Sequence, residues 1–227
     1  MTASTLRIWL AGPLQSWGFE SHFEARTTSL VPTKSAVIGL VCAAMGRPRS
    51  EPVDDLAALR FGVRVERPGT LLRDYHTVGA GDEHGIAVAS GARGRGIVTL
   101  RYYLADAAFV AGLESPDRDQ LRTLRDALSR PRWLLSLGRR SCPPAGPLVD
   151  DGALVDAPLE DALARPWSIG GRLPPHAMGL AEVELLIESP DGEHTAFDQP
   201  IDAAFAARTF GVRRVRSVSV PREEATP

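Results

Sequence analysis

Alternating apolar and polar residues predict a series of strands along the chain. Residues 60–66 alternate throughout, which is typical of a half-buried strand, and its exposed face would carry Arg60, Arg64 and Glu66. Residues 6–10 alternate in part and predict a strand near the start of the chain. Further strands are predicted over residues 71–78, 97–104, 133–137, 180–188 and 212–220. The pattern therefore indicates a fold rich in β-structure.

Apolar residues at helical spacing predict helices between these strands. The helices are predicted over residues 32–45, 116–129 and 159–164. The first is apolar on nearly every side, so we expect it to be buried. Either Thr33 or Ser35 is placed to cap its N-terminus. The second is amphipathic, with Asp and Arg residues on its outer face.

The order of these elements predicts an α+β fold. The first 140 residues run strand, helix, strand, hairpin, helix, strand, which is the order of a ferredoxin-like or RRM-like sheet with helices on one face. Residues 79–96 hold six glycines in eighteen positions and predict a flexible β-hairpin tip or a mobile loop. The rigid sequence Pro-Pro-Ala-Gly-Pro at 143–147 predicts a boundary between a first domain, 1–145, and a smaller β-rich part, 146–227.

The distribution of charge modifies what the net charge suggests. The 227 residues carry a net charge of −2, which taken alone argues against a nucleic-acid-binding protein. However, residues 146–207 balance to −10, whereas residues 1–145 balance to +5 and residues 208–227 to +3. Because local fields decide whether a phosphate backbone is attracted, two basic segments are available for a nucleic acid. The alternative for 146–207 is a merely solvated acidic face.

Composition and motifs disfavour several other classes of function. No apolar run approaches the roughly 20 residues that span a bilayer, and the N-terminus does not match a signal peptide, so we expect no membrane contact. Cys42 and Cys142 are too few for a disulfide framework or a zinc site, which favours a reducing cytoplasm. No phosphate-binding loop, paired-histidine zinc motif or serine nucleophile elbow occurs, and neither a cofactor nor a metal is predicted.

One short stretch is a candidate for acid–base chemistry. Tyr75 and His76 lie beside Arg73, and a metal-independent ribonuclease could use them. Histidines in proteins are nevertheless more often exposed or core residues than catalysts. We therefore keep a ribonuclease as the alternative function.

Features suited to binding are better represented. Gln15, Ser16 and Trp17 place an amide, a hydroxyl and an indole side by side, on a polar loop that also carries Arg26. An exposed Trp beside amide groups suits stacking on a splayed RNA base. The alternative is that Trp17 belongs to the core, which is the commoner fate of Trp.

The start of the first helix is a candidate anion site. Lys34, the single lysine beside 25 arginines, and Ser35 add a cation and a hydroxyl to the free backbone N–H groups of a helix N-terminus. Together they suit a phosphate. Simple capping of the helix is a compatible alternative.

Two arginine-rich stretches complete the candidates. Arg139, Arg140 and Ser141 follow a predicted strand and suit bidentate contact with phosphates, although a solvated charge pair is about as plausible. Residues 208–216, which include Arg213 and Arg214, interleave four arginines with a phenylalanine. That mixture fits a groove for single-stranded RNA.

The motifs also occur together in a recognisable series. The blocks are AGPLQSWG at 11–18, PTKSAVIGL at 32–40, DYHTV at 74–78, RYYLAD at 101–106, LGRRSCPP at 137–144 and RRV at 213–215. In this order they resemble the CasD subunit family of the type I-E CRISPR Cascade complex, the fifth Cas family within the RAMP superfamily. Any block alone would be weak, whereas the series is specific.

The resemblance implies a function in antiviral defence. It implies a modified RRM-like RAMP domain with a protruding β-hairpin thumb near 75–103, and a protein that binds and caps the 5′ handle of CRISPR RNA without cleaving it. Expected partners are the backbone, large and small subunits of Cascade, with target DNA met indirectly. The alternative is a metal-independent endoribonuclease that processes precursor CRISPR RNA. The RNA-binding residues predicted are Gln15, Ser16, Trp17, Arg26, Lys34, Ser35, Arg73, His76, Arg101, Arg139, Arg140, Ser141, Arg213 and Arg214.

Overall fold

Strands form most of the regular structure. The computed structural model describes residues 3–18, 25–79, 86–87, 93–94, 97–169, 181–201, 204–207 and 209–222. Its strands are β1 (Ser4–Ala11), β2 (Leu14–Gln15), β3 (Ala25–Arg26), β4 (Arg60–Arg67), β5 (Thr70–Val78), β6 (Ile86–Ala87), β7 (Arg93–Gly94), β8 (Ile97–Ala105), β9 (Ala108–Ser115), β10 (Leu154–Val155), β11 (Glu182–Glu188), β12 (His194–Pro200) and β13 (Phe210–Pro221). Its α-helices are α1 (Lys34–Met45), α2 (Asp54–Ala57), α3 (Arg118–Ser129), α4 (Leu159–Ala164) and α5 (Ala204–Ala207).

A seven-stranded antiparallel sheet forms the centre of the protein. Its strand order is β10-β1-β9-β4-β11-β13-β12. Strands β1, β4 and β9 come from before the predicted boundary at 143–147, and the other four come from after it. Both segments therefore contribute strands to one sheet, and the division of the chain into two domains stays a prediction.

Helices cover both faces of this sheet. Arg64 of β4 donates to the carbonyls of Leu163 and Ala164, which places α4 on the face to which even-numbered β4 residues point. Side chains alternate along a strand, so Phe61 points to the opposite face. There α1 packs against α3, and the buried residues of the two helices extend the core.

Two glycines opposite each other allow α4 to approach the sheet closely. Gly62 of β4 and Gly112 of β9 are cross-strand partners. A Cβ atom on Gly112 would lie 2.6 Å from Cδ1 of Leu159, and one on Gly62 would lie 2.9 Å from Cδ1 of Leu163. Because contacts below 3.0 Å are essentially never seen for a Cβ atom, a larger residue at either position would oblige the buried leucine side chains of α4 to shift.

The structure confirms most of the predicted elements. The strands predicted at 6–10, 60–66, 71–78, 97–104 and 212–220 are present, as is the one at 180–188 apart from residue 180, which lies outside the described residues. The three helices are also present. Cys42 is buried as expected, and burial raises the pKa of its thiol to about 11.

Strand β9 was missed, although it lies next to the middle of the sheet. The side chains on both faces of Ala108–Ser115 are nearly all buried, so its sequence does not alternate between apolar and polar residues. A continuous apolar run of this length is consistent with a buried strand, and it is bounded by Asp106 and by Pro116. That run was the signal that could have identified it.

The prediction of a strand at 133–137 is wrong. The backbone N–H groups of Arg132 and Trp133 donate to the carbonyls of Ala44 and Ala43, with N···O distances of 2.9 and 3.3 Å. These carbonyls belong to the last turn of α1, where C=O groups lack the usual partner four residues on; the Ala43 carbonyl also accepts from the C-cap Gly46 at 3.2 Å. The segment therefore caps a helix end and forms no sheet ladder.

A long hairpin projects exposed apolar residues on both faces. β5 and β8 pair from Thr70–Ala105 to Val78–Ile97, and we call these two strands the arm. Leu71, Leu72 and Tyr75 of the arm are exposed. The predicted glycine-rich tip lies mostly outside the described residues, at 80–85, 88–92 and 95–96.

The expectation that Arg64 and Glu66 are exposed is wrong. Both side chains are 2% exposed, and Nε of Arg64 lies 2.5 Å from Oε1 of Glu66. Arg222 adds a second ion pair to the same carboxylate at 3.0 Å. The polar residues of an alternating strand here face α4, and they are buried because each charge has a partner.

We predict that Gly112→Ala lowers the free energy of unfolding by about 1–3 kcal/mol, because the added methyl group overpacks the fully buried side chains of Leu159 and Leu163. Gly146→Ala is the matched control, since among the described residues other than its chain neighbours no atom lies within 4 Å of its Cβ position. Urea denaturation of both variants measures the difference. Equal stability of the two would contradict the close approach of α4.

Candidate nucleic-acid interface

Gln15, Ser16 and Trp17 form a buried hub. The Gln15 amide donates to the carbonyls of Leu10 and Ala107 at 3.0 and 2.8 Å, and its oxygen accepts from the Trp17 indole at 3.0 Å. All three side chains are buried. The interpretation of Trp17 as an exposed stacking platform is therefore wrong, and the core alternative is correct. The hub joins the end of β1 to the loop after β8.

Lys34 is a buried partner of a carboxylate. Its side chain is 1% exposed, and Nζ lies 2.9 Å from Oε2 of Glu188 on β11. Burial lowers the pKa of the Lys34 ammonium below its ordinary value, while the Glu188 carboxylate acts in the opposite direction. The ammonium is thus unavailable to a phosphate in this structure, and the prediction of direct contact with RNA is corrected.

The N-terminus of α1 already holds an anion. Oδ2 of Asp198 on β12 accepts from the backbone N–H of Lys34 at 2.6 Å. Thr33 occupies the N-cap position of α1, as one of the two predicted alternatives, but its hydroxyl makes no capping hydrogen bond. The Asp198 carboxylate takes that role instead. Asp198 also holds Arg213, with Nε–Oδ1 at 2.6 Å. Arg213, another predicted RNA contact, is therefore also committed internally.

Arg139 braces the base of the arm. Its guanidinium donates to the carbonyls of Tyr102, Arg26 and Thr27, and it lies 5.0 Å from the centroid of the Tyr103 ring. Contact of Arg139 with a phosphate stays a prediction, because a guanidinium has five N–H donors and these contacts to the backbone do not use all of them.

The turn before Arg139 depends on a glycine. Gly138 has φ +88°, and a Cβ atom there would lie 1.8 Å from the carbonyl oxygen of Ser16. This contact fixes the segment 137–142 against the Gln15–Trp17 hub. Arg140, next along the chain, is exposed.

The arm presents one charged face. Arg26 of β3 is the parallel partner of Arg101 on β8, and Arg101 is the antiparallel partner of Asp74 on β5. Cross-strand partners share a face of a sheet, so these three side chains form a row. His76 lies on the same face, with Nδ1 3.6 Å from Oδ2 of Asp74.

The opposite face of the arm is aromatic. Arg73 is the partner of Tyr102, and Tyr75 lies two residues from Arg73, so these three share a face. Because neighbours on a strand point to opposite sides, Tyr75 and Arg73 are separated from His76 by the sheet. The predicted acid–base pair of Tyr75 and His76 is therefore wrong as a single site.

The remaining candidates lie apart from the arm. Ser141 is exposed beside the buried Cys142. Arg214 is exposed on β13 and donates to the carbonyl of Gly192 and the hydroxyl of Thr195. Ser35 is on α1, where it lines a groove. Contact of these residues with RNA stays a prediction.

The groove beside α1 was not anticipated. It has a volume of about 1010 Å³ and lies between α1, the segment 132–140 and two phenylalanines, Phe205 and Phe210. Arg140 is the predicted arginine that lines it. Sequence reasoning missed the groove because a strand at 133–137 would have buried Trp133, and no local pattern identified the helix cap.

Comparison with known proteins identifies the family. The profile of the CRISPR-associated protein (Cas5) family matches residues 5–216. The chain belongs to the Cas5 family. This Cas5 chain is also similar to the CRISPR system Cascade subunit CasD of Escherichia coli (strain K12), with 33% identity over 229 residues, 92% of this chain and 95% of the relative. The family indicated by the sequence motifs is thereby confirmed.

Solved structures resemble this Cas5 chain over nearly its whole length. A crystal structure of a Cas protein has a TM-score of 0.75 and 41% identity, covering 98% of this chain and 100% of that one. A chain of a CRISPR RNA-guided surveillance complex has a TM-score of 0.77 and 33% identity, covering 96% of this chain and 91% of that one.

The described part of the Cas5 chain was searched for metal-binding clusters and for membrane-spanning helices. Among those residues, no group of three or more His, Cys, Asp or Glu side chains is arranged to hold a metal ion. Among the same residues, no helix has the length and apolar character needed to cross a membrane.

We predict that Asp198→Ala lowers the free energy of unfolding by about 3–5 kcal/mol, because Arg213 loses its carboxylate and α1 loses its N-terminal acceptor. Asp198→Asn keeps an acceptor oxygen and should cost less. Asp191→Ala, at an exposed turn, should stay within about 0.5 kcal/mol of the parent. If urea denaturation gave Asp198→Ala the stability of Asp191→Ala, the network would not hold the fold.

Adjacent arginines give a matched pair of variants. Arg139→Ala should lower the free energy of unfolding by about 1–3 kcal/mol, because three backbone carbonyls lose a charged donor. Arg140→Ala should change it by less than about 0.5 kcal/mol, because Arg140 is exposed. Thermal and urea unfolding measure both. A stable Arg139→Ala protein would overturn the bracing role.

Proposed function

We propose that this Cas5 chain is a non-catalytic RNA-binding subunit of a CRISPR RNA-guided surveillance complex, and that it caps the 5′ handle of the guide RNA. The similarity to the Cascade subunit CasD and to a chain of a CRISPR RNA-guided surveillance complex supports the assembly. The backbone, large and small subunits are its expected protein partners, target DNA is met indirectly, and the cytoplasm is the expected location.

The observation that carries the RNA-binding part of the proposal is the charged face of the arm. Arg26 and Arg101 lie side by side on it, from two strands that are far apart in sequence. Arg26 is exposed and Arg101 is partly exposed. Neighbouring guanidinium groups on an open surface suit contacts to consecutive phosphates of an RNA strand.

The first segment, completed by β10 from beyond the predicted boundary, has an arrangement that supports a ferredoxin-like fold for the RNA-binding domain. In chain order β1, α1, β4, β9, α3 and β10 give the sequence strand, helix, strand, strand, helix, strand. At one end of the sheet the strand order is β10-β1-β9-β4. The first strand of the domain, β1, therefore lies between the fourth, β10, and the third, β9. In this interpretation the arm is the thumb, inserted between the second and third strands of the domain.

A metal-independent endoribonuclease is the second candidate, because His76 and Asp74 share a face of the arm with Arg101. The opposite orientation of Tyr75 weakens this alternative, since it removes one of the two groups expected to exchange protons. Incubation of the purified protein with repeat RNA in EDTA, alongside His76→Ala, separates the two functions. Cleavage that disappears in the variant would establish the enzyme, and intact RNA supports the binding subunit.

We predict that the double variant Arg26→Ala/Arg101→Ala weakens RNA binding by roughly 2- to 25-fold, because each exposed charge contributes roughly 0.2–1 kcal/mol. The slope of log affinity against log salt should become shallower by roughly 1.4, which is about 0.7 for each lost phosphate contact with a single strand. RNA retained by the assembled complex, measured across salt concentrations, gives both values.

The control for this variant removes two arginines elsewhere. Arg118→Ala/Arg122→Ala changes the net charge equally, on the exposed side of α3. It should leave the salt slope unchanged. An equal effect of the two double variants would show that only total charge matters, and a parental complex that contains no RNA would overturn the proposed function itself.

A further inference from the structure

The groove beside α1 combines exposed apolar groups with arginines. Trp133 is 49% exposed and Leu134 is 99% exposed. Arg49, Arg132 and Arg140 line the same groove. Exposed apolar groups that form part of a concave surface indicate a binding site more often than isolated ones do.

The fold holds Trp133 and Leu134 outward. On one side, the backbone N–H groups of Arg132 and Trp133 are bound to the last carbonyls of α1. On the other side, the side chain of Leu137 is fully buried in the core. The two apolar side chains are therefore exposed by an anchored backbone and do not belong to a loose turn.

The opposite wall of the groove is aromatic. Phe205 and Phe210 meet edge to face with ring centroids 6.5 Å apart. The ring of Phe205 lies 3.9 Å from the Cβ position of Gly39 on α1. Planar groups that enter the groove thus meet aromatic or apolar surfaces on two sides.

The charge of the groove selects a polyanion. No Asp or Glu occurs among the described residues that line it, whereas four arginines do. Arg47 is held by Asp55, with Nη1–Oδ1 at 2.5 Å. The lining residues that the structure describes include no carboxylate that could pair with Arg49, Arg132 or Arg140. The volume of about 1010 Å³ lies at the upper limit of the roughly 300–1,000 Å³ of small-molecule pockets.

We infer that this groove binds a short run of unstacked nucleotides of the guide RNA. The base of one nucleotide stacks on Trp133 and Leu134, and Arg49, Arg132 and Arg140 contact the phosphates. Single-stranded RNA is recognised in this way, by aromatic platforms in a basic groove. The inference rests on the proposed function, and it extends the RNA surface from the arm past Arg139 to Arg140 and α1.

The test uses the assembled complex with its guide RNA, immobilised through another subunit. Trp133→Ala should speed the release of RNA about 5- to 150-fold, the equivalent of losing one base stack. Trp133→Phe, which keeps a ring, should restore most of the retention. Arg140→Ala should make the salt slope shallower by about 0.7, and it serves as the second variant because Arg140 is exposed and separate from the core.

Phe197→Ala is the matched control, since Phe197 is an exposed aromatic residue on β12 outside the groove. It should release RNA at the parental rate. Nuclease digestion should also shorten the protected RNA by a few nucleotides in Trp133→Ala but not in Phe197→Ala.

The outcomes separate this inference from the proposed function. If Trp133→Ala and Arg140→Ala keep the parental retention while Arg26→Ala/Arg101→Ala loses RNA, the groove assignment is wrong and the proposed function stands. Loss of a protein subunit with unchanged RNA retention would make the groove a protein-docking site and would overturn the inference. If the parental complex carries no RNA, both fail together.

Discussion

The Asp198 carboxylate is the constraint on which much of this structure depends. It occupies the N-terminus of α1 and neutralises Arg213, while Lys34, the first residue of the same helix, is paired with Glu188. These contacts join a helix from the first part of the chain to β11, β12 and β13 from the last part. Phe205 and Phe210, which form the far wall of the groove, belong to that last part, so the network also determines the shape of the proposed RNA site.

Ion pairs of this kind neutralise part of the acidic charge of residues 146–207, which we call the acidic segment. Carboxylates of the acidic segment pair with basic residues outside it, in the pairs Glu188–Lys34, Asp198–Arg213, Glu160–Arg60 and Asp156–Arg118. These pairs remove equal numbers of positive and negative charges and leave the net charge at −2, so the field at the arm and groove is set by the arginines that lie there, not by the total. A nucleic-acid interface is therefore compatible with an acidic protein.

Sequence reasoning succeeded where local pattern decides structure and failed where tertiary contacts do. Alternation located β4, and apolar spacing located α1 and α3, because each buries one face or all of itself. Gln15 and Trp17 were assigned to the RNA surface because an exposed Trp beside an amide suits stacking on a base, and Lys34 because a cation at a helix N-terminus suits a phosphate. Gln15 is buried by contact with Ala107, 92 positions away, and Lys34 by contact with Glu188, 154 positions away, and no local pattern identifies such contacts. Arg26 and Arg101 were each predicted to bind RNA, and this stays a prediction. That they are neighbours follows from the parallel pairing of β3 with β8, which no local pattern indicated.

Ultraviolet cross-linking of the guide RNA within the assembled complex, followed by mass spectrometry of the linked peptides, tests the central claim most directly. We expect links in peptides that contain Arg26, Arg101 or residues 132–140. We expect none at Trp17 or Lys34, which are buried. Links concentrated at those two residues, with the arm and the groove unlabelled, would contradict the division between an internal ion network and an external RNA surface.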